Sequence, residues 1–273
     1  RNPMLTTTYG TGELILHAIE HGYREFIIGI GGSATNDAGL GMLQALGFRF
    51  YDQNGEILGK GGQILDQIVA IDFSSVHPAL KDARFTIACD VRNPFSGPEG
   101  AAYVFARQKG ADGAMIEKLD AGMKRFSRLI HSTTGREITE VAGAGAAGGL
   151  GGAFLAFLNA ELKPGIELLL RTLKFDEKIK DADLIITGEG RVDRQSVMGK
   201  VPFGILEEAN KQGIPVIVVA GSIADTEVLN KAGFRGIFSI VPSPMSLEVA
   251  MKPEAAKNNI SRTVAQIISL ATL

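Results

Sequence analysis

Short apolar runs alternate along the chain with stretches of helical periodicity, and glycine or polar residues follow most of the apolar runs. In the first part of the chain the apolar runs predict strands at residues 26–30 and 85–89. Helical patterns predict helices at 11–19, with Thr11 as the N-cap, and at 40–46. The order helix, strand, helix is typical of α/β folds.

The middle of the chain combines a turn signal, a long helix and a glycine-rich segment. Asp52-Gln53-Asn54-Gly55 predicts a hairpin turn between strands at 49–51 and 56–58, because Asn-Gly tolerates positive φ. Apolar residues at helical spacing over 114–132 predict an amphipathic helix whose Met and Phe side chains belong to the core. Residues 143–152 carry almost no side chains, which permits close approach by a ligand or a neighbouring helix.

From about Asp181 onward, short apolar strands alternate with helices, which predicts a parallel sheet with crossover helices. We place a domain boundary in the charge-rich segment 174–183, which gives domains at 1–180 and 181–273. The predicted strands are 184–186, 216–219 and 237–241. One predicted helix runs from Pro202 to about 213, a second ends at about 229, and a third covers 253–271.

Composition narrows the classes of function. The chain has 273 residues, 45% of them hydrophobic and 21% charged, which suffices for one large or two smaller globular domains. The formal net charge is −2 and no basic cluster carries aromatic residues, so nucleic acid is not an expected partner. Cys89 is the only cysteine, which excludes an intrachain disulfide and fits a cytoplasmic protein. No apolar run approaches the roughly 20 residues that span a bilayer.

The first polar cluster follows the apolar run 26–30 directly and contains Gly31, Gly32, Ser33, Asn36 and Asp37. Glycines at a strand end let the backbone approach an anion, and the following helix offers free N–H groups. Asp37 could hold a cation beside that anion. The turn therefore predicts phosphate binding, and the alternative is a helix cap in which Ser33 or Asn36 accepts from backbone N–H groups.

Two smaller polar groups lie further along the chain. Asp90 and Asn93 follow the strand predicted at 85–89, where they either contact a ligand or form Asx turns. Lys109 lies in the segment Gln-Lys-Gly-Ala and could reach a phosphate, although a lysine in such a turn is more commonly exposed.

The polar cluster that most clearly indicates phosphate chemistry follows the strand predicted at 184–186. Its two carboxylates, four residues apart, offer Mg²⁺ coordination or a general base, and its cations can offset phosphate charge. The alternative is a solvated loop whose charges pair with each other. The members are Gly188, Glu189, Gly190, Arg191, Asp193 and Lys200.

Several familiar signatures do not occur in the sequence. A P-loop of the form Gly-x-x-x-x-Gly-Lys-Ser/Thr is missing, which disfavours a P-loop nucleotidase. The glycines at 29 and 31 lack a third glycine in register, which disfavours a nicotinamide-dependent oxidoreductase. His17 and His21 have no clear third partner for a zinc site, and no hydrolase triad is detectable.

Taken in order, five motifs resemble those of the bacterial class I glycerate kinases, and the opening residues 6–15 resemble that family as well. Family members carry a further N-terminal segment of roughly a hundred residues, and this chain, which begins without methionine, is expected to lack it. The five motifs are Gly-Ile-Gly-Gly-Ser-Ala-Thr-Asn-Asp (29–37), Ala-Cys-Asp-Val-Arg-Asn-Pro (88–94), Gln-Lys-Gly-Ala (108–111), Gly-Ala-Gly-Ala-Ala-Gly-Gly (143–149) and Ile-Thr-Gly-Glu-Gly-Arg-Val-Asp-Arg-Gln-Ser (186–196).

The resemblance implies ATP-dependent phosphorylation of D-glycerate, mostly to 2-phosphoglycerate, with Mg²⁺, in a cleft between two α/β domains. Residues 1–180 would form a middle mixed α/β domain, and 181–273 the C-terminal half of a Rossmann-like (flavodoxin-like) parallel-sheet domain. The partners would be D-glycerate and ATP, without nucleic acid or membrane, and a homodimer is allowed. The alternatives are a 3-phosphoglycerate-forming kinase and, without the N-terminal segment, a non-catalytic anion- or nucleotide-binding protein.

Chemistry suggests a role for each candidate within these motifs. Asp193 is the expected general base, with Glu189 as second choice, and Arg191 or Lys200 would offset phosphoryl charge. Asp37 and Asp90 are the candidates for Mg²⁺ or for the substrate hydroxyl. The residues expected to bind phosphate or the glycerate carboxylate are Gly31, Gly32, Ser33, Asn36, Asp90, Asn93, Lys109, Gly188 and Gly190.

Overall fold

The computed structural model describes residues 1–197 and 199–271. The chain divides into two compact units, Arg1–Gly165 and Ile166–Leu273. Each unit has its own buried apolar core and a sheet of parallel strands covered by helices. The predicted α/β class with two α/β units is therefore confirmed.

The first unit contains five strands and five α-helices among its described residues, with three short 3₁₀ helices at Gly62–Ile64, Pro78–Asp82 and Arg107–Lys109. In chain order the elements are α1 (Tyr9–Glu20), β1 (Glu25–Gly29), α2 (Leu40–Ala45), β2 (Arg49–Tyr51), β3 (Ala70–Asp72), β4 (Arg84–Ala88), α3 (Ala101–Phe105), α4 (Gly113–Thr134), α5 (Ala146–Phe157) and β5 (Glu161–Lys163).

The sheet that positions the candidate site has the strand order β1-β4-β5, and all its pairs are parallel. Gly29 lies opposite Ala88 at the ends of β1 and β4. Because the carboxyl ends of parallel strands meet at one edge, this register brings the turn after β1 next to Asp90 after β4. Two of the predicted polar clusters therefore meet at one edge.

Two details of the first unit differ from the predictions. Helix α1 begins at Tyr9, so Thr11 lies inside the helix and is not its N-cap. Strand β2 pairs with β3, whereas the predicted strand 56–58 contributes a single bridge from Ile57 to Tyr51. The predicted turn is present, with Gly55 at φ 79°, but β2 forms its three-residue ladder with β3.

The apolar stripe of α4 lies in the core, as its periodicity predicts. Leu119, Met123, Phe126 and Ile130 are all at most 1% exposed. The rings of Phe126 and Phe50 make an edge-on contact with their centroids 5.9 Å apart. The Met and Phe side chains of this helix therefore serve packing.

The glycine-rich segment at the start of α5 packs against the turn after β1. Ala147, Gly148 and Gly149 have left-handed backbone conformations, with φ between 53° and 91°. The carbonyl of Gly148 accepts a hydrogen bond from the Ala38 N–H at 2.9 Å. A Cβ at Gly148 would lie 2.2 Å from the Thr35 carbonyl oxygen, so this approach requires glycine.

The second unit contains a three-stranded parallel sheet of order β6-β7-β8. Its core includes Val192, Val216, Val218 and Leu229. In chain order the elements are α6 (Gly165–Thr172), α7 (Phe175–Ile179), β6 (Ile185–Val192), α8 (Val201–Asn210), β7 (Val216–Ile223), α9 (Thr226–Ala232), β8 (Gly236–Ser239), α10 (Leu247–Ala250) and α11 (Pro253–Ala271), with a 3₁₀ helix at Arg194–Val197 after β6.

The charged segment 174–183, which predicts a domain boundary, packs within the second unit. Ile179 is buried in the core of that unit and Phe175 packs against the same core. A Cβ at Gly204 of α8 would lie 2.5 Å from Ile166, which shows how closely α6 packs on α8. The charged residues of 174–183 are exposed on α7 and on the residues that flank it, and the boundary at 180/181 stays a prediction.

Strand β6 is longer than the strand predicted at 184–186. It continues to Val192, which lies opposite Ile223 of β7. Gly188 to Arg191 are consequently part of a paired strand, whereas the sequence places them in a loop. Glycine and charged residues have low strand propensity, and pairing with β7 overrides it here.

None of the helices within residues 1–197 and 199–271 combines the length and the apolar character needed to cross a membrane.

Candidate functional site

The candidate site is a cavity of about 230 Å³ in the first unit, at the carboxyl edge of the β1-β4-β5 sheet. Apolar residues at the ends of β1, β4, α3 and α5 form part of its wall. Open α/β sheets bind ligands at this edge. The other residues that line it include Gly31, Gly32, Ser33, Asp90, Gln108 and Lys109.

Lys109 ends the 3₁₀ helix Arg107–Lys109 and is only 3% exposed. Its Nζ donates hydrogen bonds to Ser33 Oγ at 2.9 Å and to the Thr35 carbonyl at 2.7 Å. Burial lowers the pKa of Lys109 to about 8, and the nearby Asp37 carboxylate opposes this shift. The expectation of an exposed lysine in a turn is therefore wrong, and the structure brings Lys109 to the predicted anion turn.

The backbone of the turn is open to a ligand at Gly31 and Gly32. Both residues are exposed, and a Cβ on either would meet nothing within 4 Å. Ser33 is half-buried beside them, with its hydroxyl oxygen bound to Lys109. The structure thus places the three residues predicted to bind an anion on one side of the cavity.

Asp90 supplies a carboxylate to the same cavity. It is exposed, and its Oδ1 accepts a hydrogen bond from the Gly165 N–H at 2.8 Å. Cys89 also lines the cavity, and its thiol donates to the Val91 carbonyl at 3.3 Å. Burial raises the pKa of the Cys89 thiol, which favours its protonated form.

Asp37 is not part of the cavity wall but lies beneath the turn, 0% exposed. Its carboxylate accepts from both N–H and O–H of Thr8, at 2.7 and 2.9 Å, and from the N–H groups of Gly39 and Gly41. Burial raises the pKa of Asp37, and these hydrogen bonds oppose the shift. With four donors on its oxygens, Asp37 organises the start of α2, and its role as a metal ligand stays a prediction.

Asn36 and Asn93, both predicted to bind a ligand, contact protein groups through their side-chain Nδ2 atoms, whereas the buried Oδ1 of Asn36 has no hydrogen-bond partner. Asn36 is 0% exposed and its amide Nδ2 contacts Met123 Sδ at 3.3 Å. Asn93 donates to the Glu99 carbonyl at 2.8 Å, and its own carbonyl accepts from Gly143 and Gly145. The side chain of Asn93 therefore links two parts of the loop between β4 and α3, which is not an Asx turn, and its role in ligand binding stays a prediction.

The remaining predicted residues lie in the second unit, on β6 and just after it. Arg191 Nε lies 3.0 Å from Asp193 Oδ2, and the Gln195 N–H donates to Asp193 Oδ1 at 2.9 Å. Asp193 and Arg191 therefore pair with each other, as the alternative of a self-paired cluster predicts. Glu189 is half-buried in the strand, between the exposed Gly188 and Gly190.

Two further features of this region bear on the same cluster. Lys200 is the exposed N-cap residue of α8. Arg194 forms an ion pair with Asp225, which lies after β7 in a left-handed conformation with φ 52°. Nothing local in the sequence marks Asp225, because its partner lies 31 residues away.

The described residues offer few side-chain donors for a metal ion. No group of three or more His, Cys, Asp or Glu side chains in those residues is arranged to hold a metal ion. Asp37 is occupied by its own donors, which leaves Asp90 as the carboxylate at the cavity. Mg²⁺ in kinases is commonly held by one or two carboxylates together with substrate phosphates, and Asp90 fits that pattern.

Comparison with known proteins gives the family of the chain. The model of the glycerate kinase family matches residues 1–272. The chain belongs to the glycerate kinase family. The resemblance carried by the five motifs is thereby confirmed, and membership in the glycerate kinase family makes the chain a kinase.

Individual members of the glycerate kinase family are similar over nearly the whole chain. The glycerate kinase of Halalkalibacterium halodurans is 47% identical over 267 residues, which cover 96% of this chain and 70% of that protein. The glycerate 2-kinase of Escherichia coli K12 is 48% identical over 263 residues, covering 96% and 68%. A crystal structure assigned provisionally as glycerate kinase 2 of Salmonella typhimurium LT2 is 42% identical with a TM-score of 0.82, covering 100% of this chain and 71% of that one.

Proposed function

We propose that this chain transfers the γ-phosphoryl group of ATP to the 2-hydroxyl of D-glycerate and so forms 2-phosphoglycerate. Membership of the glycerate kinase family and the similarity to the glycerate 2-kinase of E. coli K12 support the substrate and the position of transfer. The cavity of the first unit supports a small anionic substrate that carries hydroxyl groups.

The observation that carries the proposal is the presence of hydrogen-bond donors and a carboxylate acceptor in one small cavity. Lys109, Ser33 and the backbone of Gly31 and Gly32 offer hydrogen-bond donors on one side. Asp90 offers an acceptor in the same cavity. D-glycerate has a carboxylate for the donors and hydroxyl groups for the acceptor, so the wall matches both ends of the molecule.

Phosphoryl transfer depends chiefly on positioning and on neutralising charge. In the proposed reaction the substrate hydroxyl loses its proton to a carboxylate as its oxygen bonds to the γ-phosphorus, while the bond to the β-phosphate oxygen of ATP breaks and ADP leaves. Asp193 is the proposed base and Glu189 the second choice, and Arg191 or Lys200 would offset phosphoryl charge. Asp90 competes with Asp193 for the role of base, because Asp193 is engaged by Arg191.

Mg²⁺ forms part of the proposal as the ion that accompanies ATP. Asp90 together with the nucleotide phosphates would hold it, and the ion would withdraw charge from those phosphates. Gly188 and Gly190 of β6 stay in the proposal as phosphate-binding residues, because both are exposed, and a Cβ at Gly190 would meet nothing within 4 Å. A cytoplasmic location and a homodimer also stay as predictions from the sequence.

The test is a coupled assay of ADP release from the full chain with ATP, Mg²⁺ and D-glycerate, followed by identification of the product by ³¹P NMR. We expect ADP and 2-phosphoglycerate in equal amounts. Formation of 3-phosphoglycerate would contradict the proposed position of transfer. No ADP release at millimolar D-glycerate would overturn the kinase proposal for this chain and favour a non-catalytic anion- or nucleotide-binding protein.

A further inference from the structure

We propose that Lys109 is the residue that selects the carboxylate of the substrate, and that it does so as an ammonium group fixed in advance by the turn after β1. This inference deepens the proposed function and rests on it for the identity of the acid. It concerns one interaction, between Nζ of Lys109 and a carboxylate oxygen.

The first argument is the geometry of the ammonium group. A protonated lysine has three N–H donors. Two of them are directed to Ser33 Oγ and to the Thr35 carbonyl, which are the acceptors that Nζ reaches among the described residues. Lys109 also lines the cavity, so the third N–H is available to an acceptor bound there.

The second argument is that the contact with Ser33 creates another donor. Ser33 Oγ accepts a hydrogen bond from Lys109, so its own proton is free to be donated elsewhere. A carboxylate has two oxygens and can accept from Nζ and from the Ser33 hydroxyl together. The pair therefore suits a planar acid group better than a single hydroxyl.

The third argument is the charge of the cavity wall, which favours a carboxylate over a phosphate. Lys109 and Asp90 are the charged side chains among the described lining residues, and their formal charges cancel. A monoanion beside Lys109 leaves Asp90 facing neutral hydroxyl groups. A phosphate dianion without a cation beside it, such as inorganic phosphate alone, would bring its negative charge close to Asp90, at an unfavourable Coulomb energy.

The ammonium group of Lys109 is held in place before a ligand binds. Lys109 is 3% exposed and its stem is enclosed, so little rotamer freedom is lost when a ligand binds. An exposed lysine would lose that freedom on binding. A fixed ammonium group is therefore a better selector of one anion than a mobile one would be.

The first experiment uses the unaltered full chain and isothermal titration calorimetry. The probes are D-glycerate, its neutral amide, glycerol and inorganic phosphate. We expect D-glycerate to bind at least tenfold more tightly than each of the other three, because each lacks the carboxylate. Equal binding of D-glycerate and its amide, stronger binding of phosphate, or no binding of D-glycerate would each overturn the proposal.

The second experiment compares Lys109→Met, which keeps most of the stem and removes the charge, with Lys118→Met as a matched control. Lys118 lies on α4 and forms a half-exposed ion pair with Asp66. We expect Lys109→Met to raise the KM for D-glycerate about 30-fold or more and to leave the KM for ATP within threefold. The control should change neither value by more than twofold.

Two results of the second experiment would contradict the assignment. A KM for D-glycerate within threefold of the parent value would remove Lys109 from the acid site. A rise in the KM for ATP instead would assign Lys109 to the nucleotide phosphates. If melting curves show that Lys109→Met does not fold, the four-probe titration of the unaltered chain decides the question.

The two proposals fail in different ways. Tight binding of D-glycerate without ADP release would contradict the proposed kinase reaction and leave the assignment of Lys109 standing. Turnover of D-glycerate with an unaffected KM in Lys109→Met would support the proposed kinase reaction and contradict the assignment of Lys109.

Discussion

Nζ of Lys109 lies 2.9 Å from Oγ of Ser33, across 76 residues of sequence. The contact joins a 3₁₀ helix to the turn after β1 and closes one side of the cavity in the first unit. A second hydrogen bond, to the Thr35 carbonyl, fixes the ammonium group on the same turn. The proton on this lysine therefore affects both the shape of the turn and the charge of the cavity.

The first prediction is a loss of substrate binding at alkaline pH. Lys109 must carry its proton to bind a carboxylate, and burial lowers its pKa to about 8. We therefore expect kcat/KM for D-glycerate to fall tenfold per pH unit above about 8, because kcat/KM reports groups of the free enzyme. The measurement is the pH profile of kcat/KM between pH 6 and 10, and in Lys109→Met the fall near pH 8 should disappear.

The charged and titratable groups around Lys109 allow this assignment. The Asp37 carboxylate faces it from the turn and Asp90 lies in the same cavity wall. Cys89 titrates above its ordinary range because burial raises its pKa. A fall near pH 8 that persists in Lys109→Met would belong to another group and would contradict the prediction.

The second prediction is the opposite dependence for stability. The folded-state pKa of Lys109, about 8, lies below the ordinary lysine pKa of 10.5, so unfolding takes up protons between these two pH values. The contribution of Lys109 to the free energy of unfolding is therefore lowest below pH 8 and rises between pH 8 and 10.5. We expect the Tm of the parent, relative to Lys109→Met, to increase over that interval in thermal melts. A constant difference in Tm would show that the lysine is not desolvated.

The third prediction concerns Asp37. Asp37→Asn replaces an acceptor oxygen by an NH₂ group that faces N–H donors, so we expect a loss of about 3 kcal/mol, or roughly 6–12 °C in Tm. Asp82→Asn, at an exposed position of the 3₁₀ helix Pro78–Asp82, is the control and should change little. Unchanged Tm with an increased Mg²⁺ requirement would support Asp37 as a metal ligand.

The difference between the sequence prediction and the structure at Asp37 has a physical cause. The position of Asp37 after a glycine turn is equally consistent with a ligand and with a cap. The donors that decide between them come partly from Thr8, 29 residues earlier. Local pattern carries no information about such a partner, whereas the strands β1 and β4 follow from apolar runs alone and were predicted within one residue.

Lys109 illustrates the same limit in the other direction. A lysine before a glycine has no local feature that predicts burial, and only the packing of α3 and α5 around the cavity encloses it. Arg191 to Asp193 were predicted as one cluster because they are neighbours in sequence. The position of Arg191 in a paired strand, with Asp193 directly after its end, depends on β7, which no local pattern specifies.

The fourth prediction tests how the glycine-rich start of α5 supports the turn. Gly148→Ala places a Cβ 2.2 Å from the Thr35 carbonyl oxygen and 2.6 Å from Asn36 Cα, at φ +70°. Gly135→Ala at the end of α4 is matched in φ, +71°, and has nothing within 4 Å. We expect Gly135→Ala to lower the free energy of unfolding by about 1–2 kcal/mol, which reports backbone strain alone. Gly148→Ala should lower it clearly more, as measured by chemical denaturation.

Gly148→Ala should also weaken substrate binding, because Thr35 is one of the two acceptors that hold Lys109. The KM for D-glycerate should rise with it and remain unchanged in Gly135→Ala. Equal losses of stability in the two variants would show that the turn moves freely away from α5, and the close contact would then have no role in shaping the cavity.

The last prediction separates the two candidate bases. Asp193 pairs with Arg191 and with the Gln195 N–H, whereas Asp90 is exposed at the cavity with one hydrogen bond, from Gly165. Removing the general base of a kinase should lower kcat by about 10²-fold or more, since general-base catalysis contributes on that order. We measure kcat, KM and Tm for Asp193→Asn and Asp90→Asn side by side, each variant serving as the control for the other.

If Asp193 is the base, Asp193→Asn should lower kcat at an unchanged Tm. Asp90→Asn should then chiefly raise the KM for D-glycerate or for Mg²⁺ and ATP, because Asp90 binds a substrate hydroxyl or the ion and takes no proton. If Asp193→Asn retains kcat within threefold and Asp90→Asn lowers kcat by about 10²-fold, the base is Asp90 and the ion pair of Arg191 with Asp193 is structural. A loss of kcat in Asp193→Asn that is accompanied by a fall in Tm would also point to the structural role, since the carboxylate accepts the hydrogen bond that starts the 3₁₀ helix after β6. The readouts of kcat, KM and Tm together therefore assign each carboxylate to proton transfer, substrate binding or folding.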